Sequence, residues 1–172
     1  MRCVTTVKGR FGAHRAINRL STRARGALCA FVVGTLAACA SAPPKPTEID
    51  GVIQASANMN PSVSQRPSPL LVRVYELKTA TAFNNADFVS LYQRDQAELG
   101  ADLVARDEYV INPGESKQIK KVAAPETRFI GVFGAYRDLD HAKWRQVIAV
   151  QPNMKQTIVI RADELAISAA AK

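Results

Sequence analysis

A mainly β fold, a sandwich of two sheets with about eight strands and a short helical insertion, follows from three features of the sequence. Short runs alternate between apolar and polar side chains, the gaps between them carry Pro, Gly, Asn and Asp, and a single interval has a helical period. Many short strands at close spacing, with one amphipathic helix among them, fit two packed sheets better than a helical bundle or a parallel α/β sheet.

Residues 49–57 alternate, with Ile49, Ile53, Ala55 and Ala57 on one face and Gln54 and Ser56 on the other. Residues 70–78 set Leu70, Val72 and Val74 against Leu71, Arg73, Tyr75 and Leu77. Both read as half-buried strands. Residues 84–99 are the helical insertion: Phe88, Leu91, Tyr92 and Leu99 form one stripe, Asn84 or Asn85 is placed to cap its start, and Gly100 stops it. Such a stripe must be covered, and the neighbouring sheet is the available cover. Strands resume over 103–111 and 116–122, joined by Asn112-Pro113-Gly114-Glu115, in which Pro113 fixes φ and Gly114 accepts the positive φ of a type II turn. Residues 128–136 are apolar on both faces, as an interior strand covered on each side would be. Residues 146–150, 155–161 and 165–168 complete the set.

The N-terminal segment has the parts of an export signal. Seven cations from Arg2 to Arg25 precede an apolar core over 27–37, with no acidic residue. The core is shorter than the roughly 20 apolar residues a membrane span requires. Two processing signals overlap after it. Leu36-Ala37-Ala38-Cys39 fits a lipobox, with cleavage before Cys39 and a thioether-linked lipid on its sulfur; Ala40-Ser41-Ala42 fits an ordinary Ala-x-Ala site. The place of Cys39 at the end of the apolar core favours the first. That divides the chain into a signal (1–38), a lipidated cysteine with a Pro-rich tether (39–47, with Pro43, Pro44 and Pro46) and a sandwich domain (48–172).

Cleavage there also removes Cys3, Cys29 and 7 of the 23 Lys and Arg, leaving 16 cations against 15 acids and no cysteine pair for a disulfide. A near-neutral domain has no electrostatic footprint for nucleic acid. Nor is there a catalytic constellation: His141 is the one histidine left, so a Ser-His-Asp set would have to run through it. Its setting, Arg137-Asp138-Leu139-Asp140-His141, reads as a polar turn, since neighbouring ligands on one segment need other elements to close a metal sphere. Asp107 and Glu108 face opposite sides of their strand and make no acid–base pair. We expect no enzyme, no metal and no cofactor beyond the lipid on Cys39.

The connection over residues 58–69 stands out, being longer than the roughly 2 to 5 residues of a usual hairpin. Pro61, Pro67 and Pro69 stiffen it, and Met59, Val63 and Arg66 offer apolar and cationic contacts. Stiffened loops on a rigid sandwich are common recognition elements, although a plain surface loop fits the composition equally.

Taken together, "LAAC", "ANMNPSVSQRPSPLLVRVYELKTATAF", "ADFVSLY", "VINPGES" and "FIGVFGAYRDLDHAKWR" resemble the TssJ family (SciN, VasD), the outer-membrane lipoproteins of type VI secretion systems. The resemblance implies a transthyretin-like sandwich and lipidation at Cys39. It also implies a place on the periplasmic face of the outer membrane, with the periplasmic region of the IcmF-like protein TssM as direct partner and TssL as an indirect one. The partner-binding residues it implies are Asn60, Pro61, Ser62, Val63, Ser64, Gln65, Arg66, Pro67 and Ser68, with the helical insertion as a second possible surface. Two rivals remain, a periplasmic small-ligand-binding module of the same fold and a hydrolase using His141.

Overall fold

The computed structural model describes residues 44–172. The signal, both processing sites and Cys39 lie outside the described residues. In chain order come β1 (Thr47–Ala55), β2 (Leu70–Leu77), α1 (Thr81–Asn85), α2 (Phe88–Leu99), a 3-10 turn (Gly100–Asp102), β3 (Leu103–Ile111), β4 (Ser116–Ala123), β5 (Phe129–Gly134), β6 (Arg145–Ala149), β7 (Lys155–Ala162) and β8 (Ile167–Ala171). They form two four-stranded sheets, β4-β1-β7-β8 and β3-β2-β5-β6. β1 and β7 pair in parallel, and the other pairs are antiparallel. The strand pattern expected from the sequence is therefore present, with Thr47 opening β1 rather than ending the tether. The turn from β3 to β4 crosses between the sheets, with Gly114 at φ 76° and Glu115 N donating to Asn112 O at 3.0 Å.

Between the sheets, Ile49, Ile53, Ile158 and Ile160 meet Leu70, Val72, Val74, Ile130 and Val132, all buried. Burial of side chains of this size stabilises by about 1.5–3 kcal/mol each before chain entropy is counted. The void between the sheets, lined by Val74, Ile119 and Ile130 among others, is about 10 Å³, at the limit for one water molecule.

The second strand departs from expectation. β2 is buried on both faces, not one. Its outer face, Tyr75 and Leu77 together with Phe133 of β5, lies beneath Phe83 and Ala86 of the first helical segment and Leu91 and Leu99 of the second. Gly131 makes this close approach possible: a Cβ there would stand 3.0 Å from Leu77 Cδ1 and 3.1 Å from Phe83 Cζ. The insertion is also two helices rather than one. Asp87, not Asn84 or Asn85, caps the longer one, its carboxylate accepting from Ser90 N at 2.9 Å. Tyr92, expected within the buried stripe, is 45% exposed.

Helix α2 is interrupted at Arg94 (φ −144°, ψ 38°), which frees carbonyls of the preceding turn. Arg73 of β2 takes them up, donating from Nη1 to Leu91 O and Tyr92 O at 2.9 Å each, and from Nε to Glu108 at 2.7 Å. Asp95, buried just past the break, accepts from Arg106 at 2.7 Å and from Tyr75 Oη at 3.0 Å. The sheet thus grips the helix at its break through a charged cluster.

A second charged cluster sits between the sheets at the β3/β4 edge. Glu76 pairs with Lys121, which also holds Asp107, and accepts from Thr127 Oγ1 at 2.7 Å and Ala124 N at 3.0 Å. Burial pushes the Glu76 carboxyl up, but the bonds from Lys121, Thr127 and Ala124 outweigh it and hold the carboxyl below its ordinary value of 4.5. A lowered folded-state value means the ionised form stabilises the fold fully above 4.5, and that contribution is lost as the pH falls through the folded value. The melting-temperature gap between wild type and Glu76→Gln is therefore expected to be widest at pH 7 and to close on acidification below about pH 4.5. A gap independent of pH would show that the charge of Glu76 contributes nothing.

Candidate functional site

β1 carries the chain from the tether end of the sandwich to the opposite pole, about 26 Å away at roughly 3.3 Å per residue. The connection after β1 emerges there and folds back on itself: Ser68 N donates to Met59 O at 3.1 Å, Ser62 N to Arg66 O at 2.8 Å and Gln65 N to Ser62 O at 2.8 Å, with Gln65 at φ 58°. The loop is internally bonded rather than a loose excursion.

The nine expected contact residues divide into two groups. Asn60 and Ser68 are buried, whereas Val63, Ser64, Gln65, Arg66 and Pro67 are exposed and Pro61 and Ser62 half-buried. Val63, with 104% relative exposure, has no apolar cover at all. Met59 is not the contact group its composition suggested; it is fully buried in the inter-sheet core and roots the loop there.

Asn60 fastens the loop to its surroundings. It adopts φ 49°, a conformation Asn tolerates better than most residues. Its Nδ2 donates to Pro69 O at 2.9 Å, its backbone N donates to Glu164 O at 3.0 Å, and its Oδ1 accepts from Arg137 N at 2.9 Å. Three segments far apart in sequence meet on one side chain and its own peptide. Asn60→Gly keeps the backbone angle available but deletes the side-chain bonds, so a loss of about 1–3 kcal/mol is expected in urea unfolding, with faster amide exchange at Arg137. Unchanged exchange at Arg137 would mean the bond does not hold the loop.

The remaining candidate, His141, is solvent-exposed. Its Nδ1 lies 2.9 Å and 3.0 Å from the two carboxylate oxygens of Asp138, and this hydrogen bond raises the imidazole above its ordinary value. No hydroxyl among the described residues bonds to its ring, and no group of three or more His, Cys, Asp or Glu among the described residues is placed to hold a metal. Asp107 and Glu108 belong to different charged clusters on opposite sides of β3.

Residues 47–165 match the family described as type VI secretion lipoproteins (VasD, EvfM, TssJ). Among solved structures, the chain is similar to the type VI secretion lipoprotein TssJ1 from Pseudomonas aeruginosa, with 40% identity and a TM-score of 0.72 over 74% of this chain and 97% of that one. It is also similar to Serratia marcescens Lip, a membrane-bound component of the type VI secretion system, with 25% identity and a TM-score of 0.67 over 73% and 98% of the two chains. A chain in the structure of the TssM C-terminal domain from EAEC has the same fold, with 23% identity and a TM-score of 0.58 over 72% of this chain and 97% of that one. No curated protein matches significantly. The two-sheet fold, the extent of the family match and the identity to TssJ1 agree, and the chain belongs to the type VI secretion lipoprotein family.

Proposed function

We propose that this chain is a non-catalytic anchor of the type VI membrane complex. Lipid on Cys39 holds it on the periplasmic face of the outer membrane, and the loop from Asn60 to Ser68 docks the periplasmic region of a TssM-like protein, which links it indirectly to TssL. The observation that carries this reading is the wholly exposed Val63 on a loop bonded into the fold at the pole opposite the tether. An apolar tip on a preorganised loop loses little conformational freedom on binding, so more of its contact energy appears as affinity. The membrane location follows the family and the description of Lip as membrane-bound.

The small-ligand reading would place an apolar pocket between the sheets, and the void there is about 10 Å³. Calorimetry with the domain and the purified periplasmic region of a cognate TssM-like protein tests the proposal. Binding by wild type, lost when residues 61–68 become a Gly/Ser linker with the melting temperature unchanged, supports both partner and site. Equal binding by the linker variant removes the loop from the proposal, and no binding by wild type removes the partner.

A further inference from the structure

Beside the loop lies a cleft of about 530 Å³, open to solvent, which the loop alone does not form. Pro61 and Val63 make one wall; Arg137 and Asp138, beyond β5, and Glu164 and Leu165, beyond β7, make the other. The walls are fixed to each other: Asn60 bonds both Arg137 N and Glu164 O, and Tyr136 Oη donates to Asp163 O at 3.1 Å. The two acids on the rim already have partners. Asp138 is bonded to His141, and Glu164 accepts from Asn58 Nδ2 at 2.8 Å. The exposed Arg137 guanidinium has neither an ion pair nor a hydrogen bond among the described residues.

From this arrangement, and resting on the docking role proposed above, we infer that the docking surface is composite: a polypeptide partner seats an apolar side chain between Val63 and Leu165 and sets a neighbouring carboxylate on Arg137. A guanidinium fork pairs a carboxylate in two parallel bonds, and its attraction strengthens where apolar walls exclude water. A side chain tethered to a larger surface needs no lid over such a cleft. Arginine is also enriched among interface hot spots. The surface therefore calls for a segment that carries an apolar residue and one carboxylate within reach of Arg137.

Calorimetry of Arg137→Glu and Arg137→Met against the same partner region tests this, with Lys120→Glu as an equal change of charge on the outer face of the other sheet. Arg137→Glu is expected to weaken binding by more than about tenfold and Arg137→Met by less, with a shallower salt dependence in the latter; Lys120→Glu stays within about twofold. Melting temperatures of both Arg137 variants should match wild type, since the Arg137 side chain has no ion pair or hydrogen bond among the described residues; that of Lys120→Glu should fall slightly, because it replaces the 4.0 Å ion pair with Asp50 by two like charges. If Arg137→Glu binds as Lys120→Glu does while the loop-linker variant still loses binding, the composite surface is wrong and the anchor reading stands. If wild type itself does not bind, both fall together.

Discussion

Replacing Cys39 with Ser is expected to move the protein from the outer-membrane fraction to the soluble periplasm and to reduce type VI secretion to background. A serine hydroxyl cannot form the thioether through which the proposed lipid would be attached. Each buried methylene contributes about 0.8 kcal/mol to membrane binding; one myristoyl-length chain is marginal, whereas the several chains of a mature lipoprotein are effectively permanent. The variant domain should still fold, because its core is built from residues of the sandwich itself, from Ile49 to Ile167. Fractionation followed by a secretion assay checks both halves. A Ser variant that stays with the outer membrane would show that attachment does not depend on this cysteine.

Arg73→Met is expected to destabilise the domain by about 3 kcal/mol, which corresponds to roughly 10 °C in melting temperature for a domain of this size. Methionine retains much of the apolar stem that lies near the rings of Tyr92 and Phe133, 5.4 Å and 5.9 Å from the Arg73 guanidinium carbon, so little packing is removed. The guanidinium goes, and with it the donors to Leu91 O, Tyr92 O and Glu108 and a 3.5 Å ion pair with Asp95. The buried Asp95 then keeps Arg106, Tyr75 and the backbone N of Gln96, without the second cation. Arg106→Met should cost less, because Arg106 is more exposed and serves Asp95 only. A melting temperature for Arg73→Met within 2 °C of wild type would mean that the helices are held by their apolar face without the charged cluster.

The sandwich was legible because each strand carries its own local signature. Period-two alternation marks β1, the doubly apolar run marks β5 as an interior strand, and Pro113-Gly114 marks the turn between β3 and β4. What the sequence left ambiguous depends on contacts between distant segments. Arg73 and Tyr75 look like the wet face of a half-buried strand until helices are laid over them, and only their bonds to Leu91, Tyr92 and Asp95 account for polar atoms in that position. Met59 and Val63, four residues apart and similar in composition, take opposite roles because one reaches the inter-sheet core and the other is lifted away from it. The loop proposed to dock the partner stands out by the family pattern and its length. Its neighbours Glu164 and Leu165 come beside it through the parallel pairing of β1 with β7, which brings together residues more than a hundred positions apart, and Arg137 comes from the end of β5 in the other sheet; neither leaves a local trace in the sequence.

Two separate elements, Cys39 and the loop over residues 61–68, are proposed to link the outer membrane to a periplasmic partner. The most direct measurement is the distribution of the TssM-like partner on a membrane-density gradient from cells in which this protein carries residues 61–68 as a Gly/Ser linker with Cys39 intact. The variant lipoprotein is expected to remain in the outer-membrane fractions while the partner leaves them. A partner that still sediments with the outer membrane, at wild-type level, would contradict it.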